Sequence, residues 1–434
     1  MPQRLGWIDA PRDSVGQWST WTAFAERAGK DGLDRTLLCG MGGSSLAPQV
    51  LARSFGAPLD VLDSTDPAAV RAAERGAPLD RRLFLIVSKS GTTVETDAFY
   101  RYFAARAHAH QFVAVTLPGS PLERRAREAG FRATFPHPAD VGGRFAALTV
   151  VGMLPAALGG IDGATLLQRA LALDPAAGRQ LGAHLAAAAR AGRDKLVLRP
   201  PPSIAALAPW LEQLVAESSG KDGKGVVPVL DDGRGSALDR EIVAEFLRDP
   251  LDLGAEFLRW MHGVSELCAQ LGVNPFNQPD VEEAKALARA ELARGATGEA
   301  PVTLSPMELR QAARPGDYLA VLAYLPPLPP VATALGRVRA AWERATGLAT
   351  TLGFGPQYLH STGQLHKGGP NTGLFLMITA QDPEDLEIPG RDVTFGRLKH
   401  AQALGDVRAL LARGRRVAHV HLPRWEDVDQ LAAL

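Results

Sequence analysis

The stretch LFLIVSKSGTTVET, residues 83–96, joins an apolar strand pattern to the start of a helical pattern. LFLIV is a continuous apolar run of the kind found in strands that are buried on both faces. The polar residues that follow it open a helical pattern that extends to about residue 109. Strands that are apolar throughout and alternate with helices are typical of a parallel sheet covered by helices on both sides. This junction therefore predicts an α/β fold.

The same alternation continues through the rest of the chain. Strands are predicted at 36–40, 59–63, 83–88, 112–116, 195–200, 226–230, 317–325, 348–354, 373–379 and 416–422. Helices are predicted near 46–55, 67–76, 94–109, 121–130, 205–219, 239–247, 252–270, 279–294, 331–346 and 395–413, and a helical stretch over 146–192 is interrupted by GGIDG. We expect two α/β domains, residues 1–175 with an N-terminal helix and residues 176–434 with additional helices and a C-terminal segment.

The charge balance indicates no general attraction to polyanions. Lysine plus arginine and aspartate plus glutamate number 47 each, so we expect neither nucleic acid nor a membrane surface as a partner. No apolar run approaches the roughly 20 residues of a membrane helix, and the N-terminus lacks the apolar core of a signal peptide. Cys39 and Cys268 are interpreted as free buried thiols, which favours a cytoplasmic location.

Hydroxyl side chains cluster where the strand at 83–88 ends. Ser88, Ser90, Thr92 and Thr93 surround Gly91, which lets the backbone approach a ligand closely. In open α/β sheets, ligands bind at the carboxyl ends of strands, where the next helix presents free N–H groups and a positive dipole end. A helix cap needs a single hydroxyl. The four clustered hydroxyls therefore favour phosphate binding over a simple helix cap.

The first predicted strand ends in a similar turn, GMGGSSL at 40–46. Gly42 and Gly43 open the turn, and Ser44 and Ser45 begin the next helix. The stretch lacks the third glycine of the dinucleotide fingerprint, so a nucleotide site is the weaker interpretation. Two serine-bearing junctions side by side in one sheet suggest a single small phosphorylated ligand held between them.

These two motifs and several others, in this order, resemble the sugar-isomerase (SIS) domains of the glucose-6-phosphate isomerase family. The further matching segments are VGGRF (141–145), AESSGKDGKG (216–225), NPFNQPDVEEAK (274–285) and GPQYLHSTGQLHKGGPNTG (355–373). The last is similar to the isomerase part of bacterial transaldolase–isomerase fusions. The resemblance spans about residues 36–402. It implies two doubly wound parallel-sheet SIS domains, each with three αβα layers, with C-terminal helices, no cofactor or metal, and a homodimer.

The resemblance also implies roles for individual residues. Glu217 would transfer the proton, Arg144 would stabilise the enediolate, Gly143 would supply a backbone contact and Gln213 would contact the substrate. Gln213 and Glu217 are four residues apart, so they share a helix face. The other substrate contacts implied are Gly43, Ser44, Ser88, Lys89, Ser90, Thr93 and Glu95.

The ring-opening residues fall in two further segments. Of the two histidines in HSTGQLHKGG, we assign His360 to ring opening and keep His366 as a second candidate and substrate contact. The lysine motif of the family is absent, which makes Lys399 of FGRLKHAQALGD the candidate, although a surface lysine is an equal alternative. The resemblance implies that the ring-opening histidine comes from the partner subunit.

The activity implied is an aldose–ketose isomerase that interconverts glucose 6-phosphate and fructose 6-phosphate through a cis-enediolate. Such a reaction needs a carboxylate that moves a proton, a cation beside the developing oxyanion, and an acid–base pair that opens the sugar ring. Two alternatives stay open. One is a non-catalytic protein that binds a sugar phosphate, and the other is an isomerase of a related substrate such as mannose 6-phosphate.

Overall fold

A computed structural model describes residues 4–230, 239–293 and 301–433. The strands are β1 (Arg35–Cys39), β2 (Leu59–Leu62), β3 (Arg82–Val87), β4 (Phe112–Thr116), β5 (Ala133–Pro136), β6 (Lys195–Leu198), β7 (Val227–Leu230), β8 (Arg240–Val243), β9 (Tyr318–Tyr324), β10 (Ala349–Phe354), β11 (Gly373–Ala380) and β12 (Arg416–Leu422). The helices are α1 (Ala10–Lys30), α2 (Leu46–Phe55), α3 (Pro67–Arg75), α4 (Val94–Ala104), α5 (Pro121–Ala129), α6 (Val150–Leu158), α7 (Gly163–Leu171), α8 (Pro175–Arg190), α9 (Ala208–Ser219), α10 (Leu253–Leu271), α11 (Pro279–Ala293), α12 (Pro306–Gln311), α13 (Pro329–Thr346), α14 (Gly363–Gly368) and α15 (Phe395–Ala412).

The first sheet is parallel throughout, with the order β2-β1-β3-β4-β5. All residues of the central strand β3 are buried. Leu83 and Leu85 enter one apolar cluster and Phe84 and Ile86 enter another, because successive side chains point to opposite faces of a sheet. The two clusters are the two helix-covered faces, so the prediction of an α/β fold is confirmed.

The later strands form two further parallel sheets, β10-β9-β11-β12 and β7-β6-β8. Strands β7 and β10 lie near each other, since Val227 and Val229 share an apolar cluster with Ala349. A larger cluster contains both Leu154 and Trp260, so apolar packing continues across residue 175. The division into domains at that residue stays a prediction.

The predicted helix at 239–247 is wrong, because Arg240–Val243 forms strand β8. The stretch REIVAEFL has helical spacing of its apolar residues, but its first four residues pair with β6, and that tertiary pairing outweighs the local pattern. The sequence reading also missed β5 and α12. Within the described ranges, no helix combines the length and the apolarity that crossing a membrane requires.

Two helical glycines test the packing of this fold. A Cβ atom on Gly182 of α8 would lie 2.1 Å from the carbonyl oxygen of Gly263 in α10, whereas one on Gly16 of α1 would meet nothing within 4 Å. We expect Gly182→Ala to lower the free energy of unfolding by about 1–3 kcal/mol through overpacking. Gly16→Ala should raise it by about 0.5–1 kcal/mol, because alanine loses less backbone entropy on folding. Urea unfolding measures both, and a Gly182→Ala variant as stable as the parent would contradict this packing.

Candidate active site

Three loops meet at the carboxyl ends of the strands of the first sheet, and glycines permit the contact. The turn Gly42–Ser44 follows β1, and Gly42 has a φ of +55°. A Cβ atom on Gly42 would lie 2.3 Å from the carbonyl oxygen of His360, and one on Gly43 would lie 2.2 Å from the carbonyl carbon of Gly143. Side chains at these two positions would force the loops apart. Ser44, in the same turn, is half-buried.

A buried ion pair lies beside this junction. Glu217, near the end of α9, contacts Arg144 through Oε1 and Nη1 at 2.8 Å, and the two residues are 7% and 3% exposed. Burial lowers the pKa of the Arg144 guanidinium, and the Glu217 carboxylate opposes that shift. Arg144 also donates from Nε to Ser218 Oγ at 2.9 Å and from Nη2 to backbone carbonyls, that of Asn277 at 3.1 Å and that of Pro275. The cation is thereby fixed against a carboxylate that can move a proton.

Gln213 connects this pair to the histidine loop. Its Nε2 donates to Glu217 Oε2 at 3.0 Å and to the carbonyl oxygen of His360 at 2.8 Å. Its Oε1 is buried and, within the described part of the chain, accepts no hydrogen bond. A buried carbonyl oxygen without a donor suits a ligand hydroxyl, and it lies on the side chain that also contacts the Glu217 carboxylate.

His360 approaches Glu95 from the same chain, with its Nε2 2.9 Å from Glu95 Oε1. Glu95 is in the first turn of α4 and is buried. Gln213 of the same chain also holds the His360 backbone, and the expectation that the ring-opening histidine comes from the partner subunit stays a prediction. The same Glu95 oxygen receives a hydrogen bond from Gln402 Nε2 at 2.7 Å.

The hydroxyl loop forms the other side of the junction. Ser88 Oγ lies 2.9 Å from Thr93 Oγ1, and Ser90 Oγ lies 2.8 Å from Thr92 Oγ1. Ser90 and Thr92 are exposed, whereas Ser88 is buried. Gly91 has a φ of +69° and lets this loop turn directly into α4. The hydroxyls and the N-terminus of an 11-residue helix thus occupy one place, an arrangement that suits an anion.

Lys89 connects this loop to the segment before Gly143. Its Nζ donates to the carbonyl oxygens of Ala139 at 2.8 Å and Val141 at 2.7 Å. Burial, followed by the nearby Arg4, lowers its pKa to about 8. These bonds give Lys89 a structural task, and its contact with a sugar stays a prediction.

His366 lies in an aromatic core, and its role as a substrate contact stays a prediction. Its Nδ1 is 3.1 Å from the hydroxyl of Tyr318, and its ring packs against Phe375 with centroids 5.2 Å apart. The residue is 2% exposed, and burial holds its pKa well below the ordinary value. Burial and then the charges of Lys367 and Arg415 explain this neutral histidine.

Lys399 is neither a surface lysine nor a neighbour of His360 among the contacts described. Its Nζ lies 2.7 Å from Asp66 Oδ2 and also contacts Asp382. Burial alone would lower its pKa, but the charges of the two carboxylates outweigh burial and raise it. These contacts engage two of its three ammonium donors, and its assignment to ring opening stays a prediction.

Two groups at this site were not predicted from the sequence. No sequence motif pointed to Gln402, which lies on α15 one turn after Lys399. Lys221 stood in the matching segment 216–225 and received no role. Its Nζ donates to the carbonyl oxygens of Ser218 at 2.7 Å and Asn274 at 2.6 Å. Burial, then the charge of Arg144, lowers its pKa to about 7.

Comparison with known proteins finds relatives that are named glucose-6-phosphate isomerases. The chain is 41% identical over 210 residues to a glucose-6-phosphate isomerase of Thermosynechococcus vestitus, and the match covers 43% of this chain and 40% of that protein. The chain resembles glucose-6-phosphate isomerases. It is also 35% identical over 212 residues to the chloroplastic glucose-6-phosphate isomerase 1 of Arabidopsis thaliana, covering 43% of this chain and 34% of that protein. The chain thus spans less than half the length of these relatives.

A solved structure supports the fold. The crystal structure of a glucose-6-phosphate isomerase from Chlamydia trachomatis has a TM-score of 0.56 to this chain at 20% identity, over 66% of this chain and 75% of that chain. At that identity the likeness shows the fold, and it confirms the architecture of parallel sheets with many helices. No protein-family model matches the chain.

The pKa of Lys221 makes a prediction about stability. Above about pH 7 the folded protein releases this proton, while the unfolded chain keeps it until near the ordinary value of 10.5. The unfolded state then binds more protons, so this group makes stability rise with pH by up to about 1.4 kcal/mol per unit. We expect the free energy of unfolding of the parent, minus that of Lys221→Met, to increase between about pH 7 and about pH 9. Urea unfolding at several pH values measures it, and a constant difference would refute the shift.

Proposed function

We propose that this chain is an aldose–ketose isomerase that interconverts glucose 6-phosphate and fructose 6-phosphate without a metal. The observation that carries the proposal is the buried carboxylate of Glu217, held at 2.8 Å from the Arg144 guanidinium and within a hydrogen bond of Gln213. An isomerase needs a base beside a fixed cation, and the relatives that match this chain carry that activity in their names.

The proton-transfer step uses three side chains. Glu217 takes the proton from C2 of the open aldose and returns it to C1, while the hydroxyl proton passes from the C2 oxygen to the C1 oxygen, which leaves the ketose. Arg144 stabilises the negative oxygen of the cis-enediolate between these two transfers. Gln213 accepts a hydrogen bond from a substrate hydroxyl through the Oε1 atom that has no donor in the described residues.

Ring opening uses His360 together with Glu95. The His360 imidazole moves a proton between the ring oxygen and the hydroxyl at C1, and the Glu95 carboxylate orients it through the 2.9 Å contact. The phosphate binds at the loop of Ser88, Ser90 and Thr93, where hydroxyls and free helix N–H groups can donate to it.

Two further parts of the proposal concern the setting of the enzyme. We infer a homodimer from the resemblance alone. We also infer a cytoplasmic location, since Cys39 and Cys268 are both free and buried, which fits a reducing compartment. Sugar phosphate is the proposed ligand, with neither nucleic acid nor membrane as a partner.

Glu217→Gln tests the central claim. The purified parent should convert glucose 6-phosphate to fructose 6-phosphate in EDTA, and Glu217→Gln should lower kcat by about 100-fold or more, because an amide cannot take up the proton. A coupled assay of fructose 6-phosphate measures both rates, with mannose 6-phosphate as the competing substrate.

Glu212→Gln, five residues earlier in α9, is the matched control. Burial raises the pKa of Glu212 to about 8, so glutamine resembles its neutral form, and its kcat should stay within about threefold of the parent. A parent that binds glucose 6-phosphate without converting it would favour the non-catalytic alternative. Faster conversion of mannose 6-phosphate would move the proposal to that substrate, and loss of activity on adding EDTA would remove the metal-free mechanism.

The phosphate loop makes a second prediction. Ser88→Ala should raise KM for glucose 6-phosphate by about 10-fold, because a hydrogen bond to a charged group contributes about 1.5–3 kcal/mol. Thr92→Val in the same loop is the control and should change KM by less than about threefold, since Thr92 is exposed and is not among the three residues assigned to the phosphate. Equal effects of the two variants on KM would argue against the assigned binding loop.

A further inference from the structure

We propose that Gln402 is a positioning residue for ring opening, which it serves by holding Glu95 against His360. The inference rests on the proposed function and adds a residue to it. Gln402 has no role in the motifs that point to the isomerase activity, and it reaches the site from α15, a helix near the end of the chain.

The Glu95 carboxylate is the centre of the arrangement. Nε2 of His360 lies 2.9 Å from Glu95 Oε1, and Nε2 of Gln402 donates a hydrogen bond to the same oxygen at 2.7 Å. Glu95 is 3% exposed and Gln402 is 4% exposed, so little water is present to replace either bond. A buried carboxylate that loses a donor becomes more costly to keep ionised. Gln402 therefore helps to keep Glu95 charged and in place.

A second hydrogen bond fixes which way the Gln402 amide faces. The hydroxyl of Thr65, which is fully buried, donates to Gln402 Oε1 at 3.0 Å. An ionised carboxylate can only accept, so the amide must present its NH₂ group to Glu95 and its carbonyl to Thr65. The amide has one orientation in which both of these bonds form.

Lys399, the buried lysine of α15, helps to hold the residues around the Gln402 amide in place. Lys399, one helical turn before Gln402, pairs with Asp66 Oδ2, while Asp66 Oδ1 accepts from the backbone N–H of Ala68 at the start of α3. Asp66 directly follows Thr65. The ion pair therefore holds α15 against the turn that carries Thr65, and the position of Gln402 is set from both sides.

The chemical consequence concerns the His360 imidazole. In the neutral imidazole, donation from Nε2–H to Glu95 leaves the other ring nitrogen without a proton, so that nitrogen can act as the base in ring opening. A Glu95 side chain that turned away would release the ring and lose this tautomer. Proton transfer by Glu217 does not depend on that tautomer, so loss of Gln402 should slow ring opening selectively.

The experiment isolates ring opening in a Glu217→Gln background, where proton transfer is blocked. Exchange between the α and β anomers of glucose 6-phosphate, followed by NMR, then reports ring opening alone. We expect added Gln402→Leu to slow the catalysed exchange by about 10-fold or more, through misplacement of the reacting groups. The dissociation constant of glucitol 6-phosphate, which has no ring to open, should stay within about threefold.

Two further variants make the result decisive. Thr65→Val removes only the hydroxyl that orients the amide, so it should slow anomer exchange in the same direction even if Gln402→Leu fails to fold. Gln111→Leu is the matched control, because Gln111 is an equally buried glutamine that bonds backbone groups at the opposite end of β3, including Arg82 O at 3.0 Å. It should leave anomer exchange unchanged.

The outcomes separate the two proposals. A parent without isomerase activity on any hexose 6-phosphate removes the proposed function, and this inference with it. An active parent whose anomer exchange is unaffected by both Gln402→Leu and Thr65→Val removes only the positioning role. The same holds if Gln111→Leu slows exchange equally or if glucitol 6-phosphate binding weakens in parallel.

Discussion

The ion pair between Arg144 and Glu217 is the constraint around which the site is organised. Each charge alone would be costly to bury, and their attraction offsets that cost only because further hydrogen bonds satisfy the guanidinium. Ser218 and the backbone carbonyls of Pro275 and Asn277 supply those bonds. Because the pair joins the turn after β5 to the end of α9, it also requires the two regions of the chain to face each other at this point.

Such an approach leaves no room for side chains between the loops. Gly42 and Gly43 lie against the backbone of His360 and Gly143, and the amide of Gln213 then spans the remaining distance between the carboxylate and the histidine loop. The proposed acid–base groups are therefore held by backbone contacts and buried amides. Rotamers held this way cost little reorganisation when a ligand arrives, which is the arrangement that catalysis by preorganised charge requires.

The sequence predicted most of the fold because its central strands are apolar throughout, and strand β8 was missed because REIV carries a helical pattern that pairing with β6 overrides. The four-residue spacing placed Gln213 and Glu217 on one helix face. The family resemblance pointed to Arg144 and His360 as site residues. Gln402 could not be found in this way. It contacts Glu95 across 307 residues of chain, and its neighbour Lys399 carried the only chemical signal on that helix. Contacts of this kind depend on how α15 packs, which no local pattern records.

The approach of His360 to Glu95 within one chain has a genetic consequence. Where a site takes its histidine from a second subunit, two defective alleles can complement each other in a mixed oligomer. Here Glu217 and His360 are linked through Gln213 of the same chain, so under the proposed function, with this histidine in the site, an allele defective in one residue would gain nothing from an allele defective in the other.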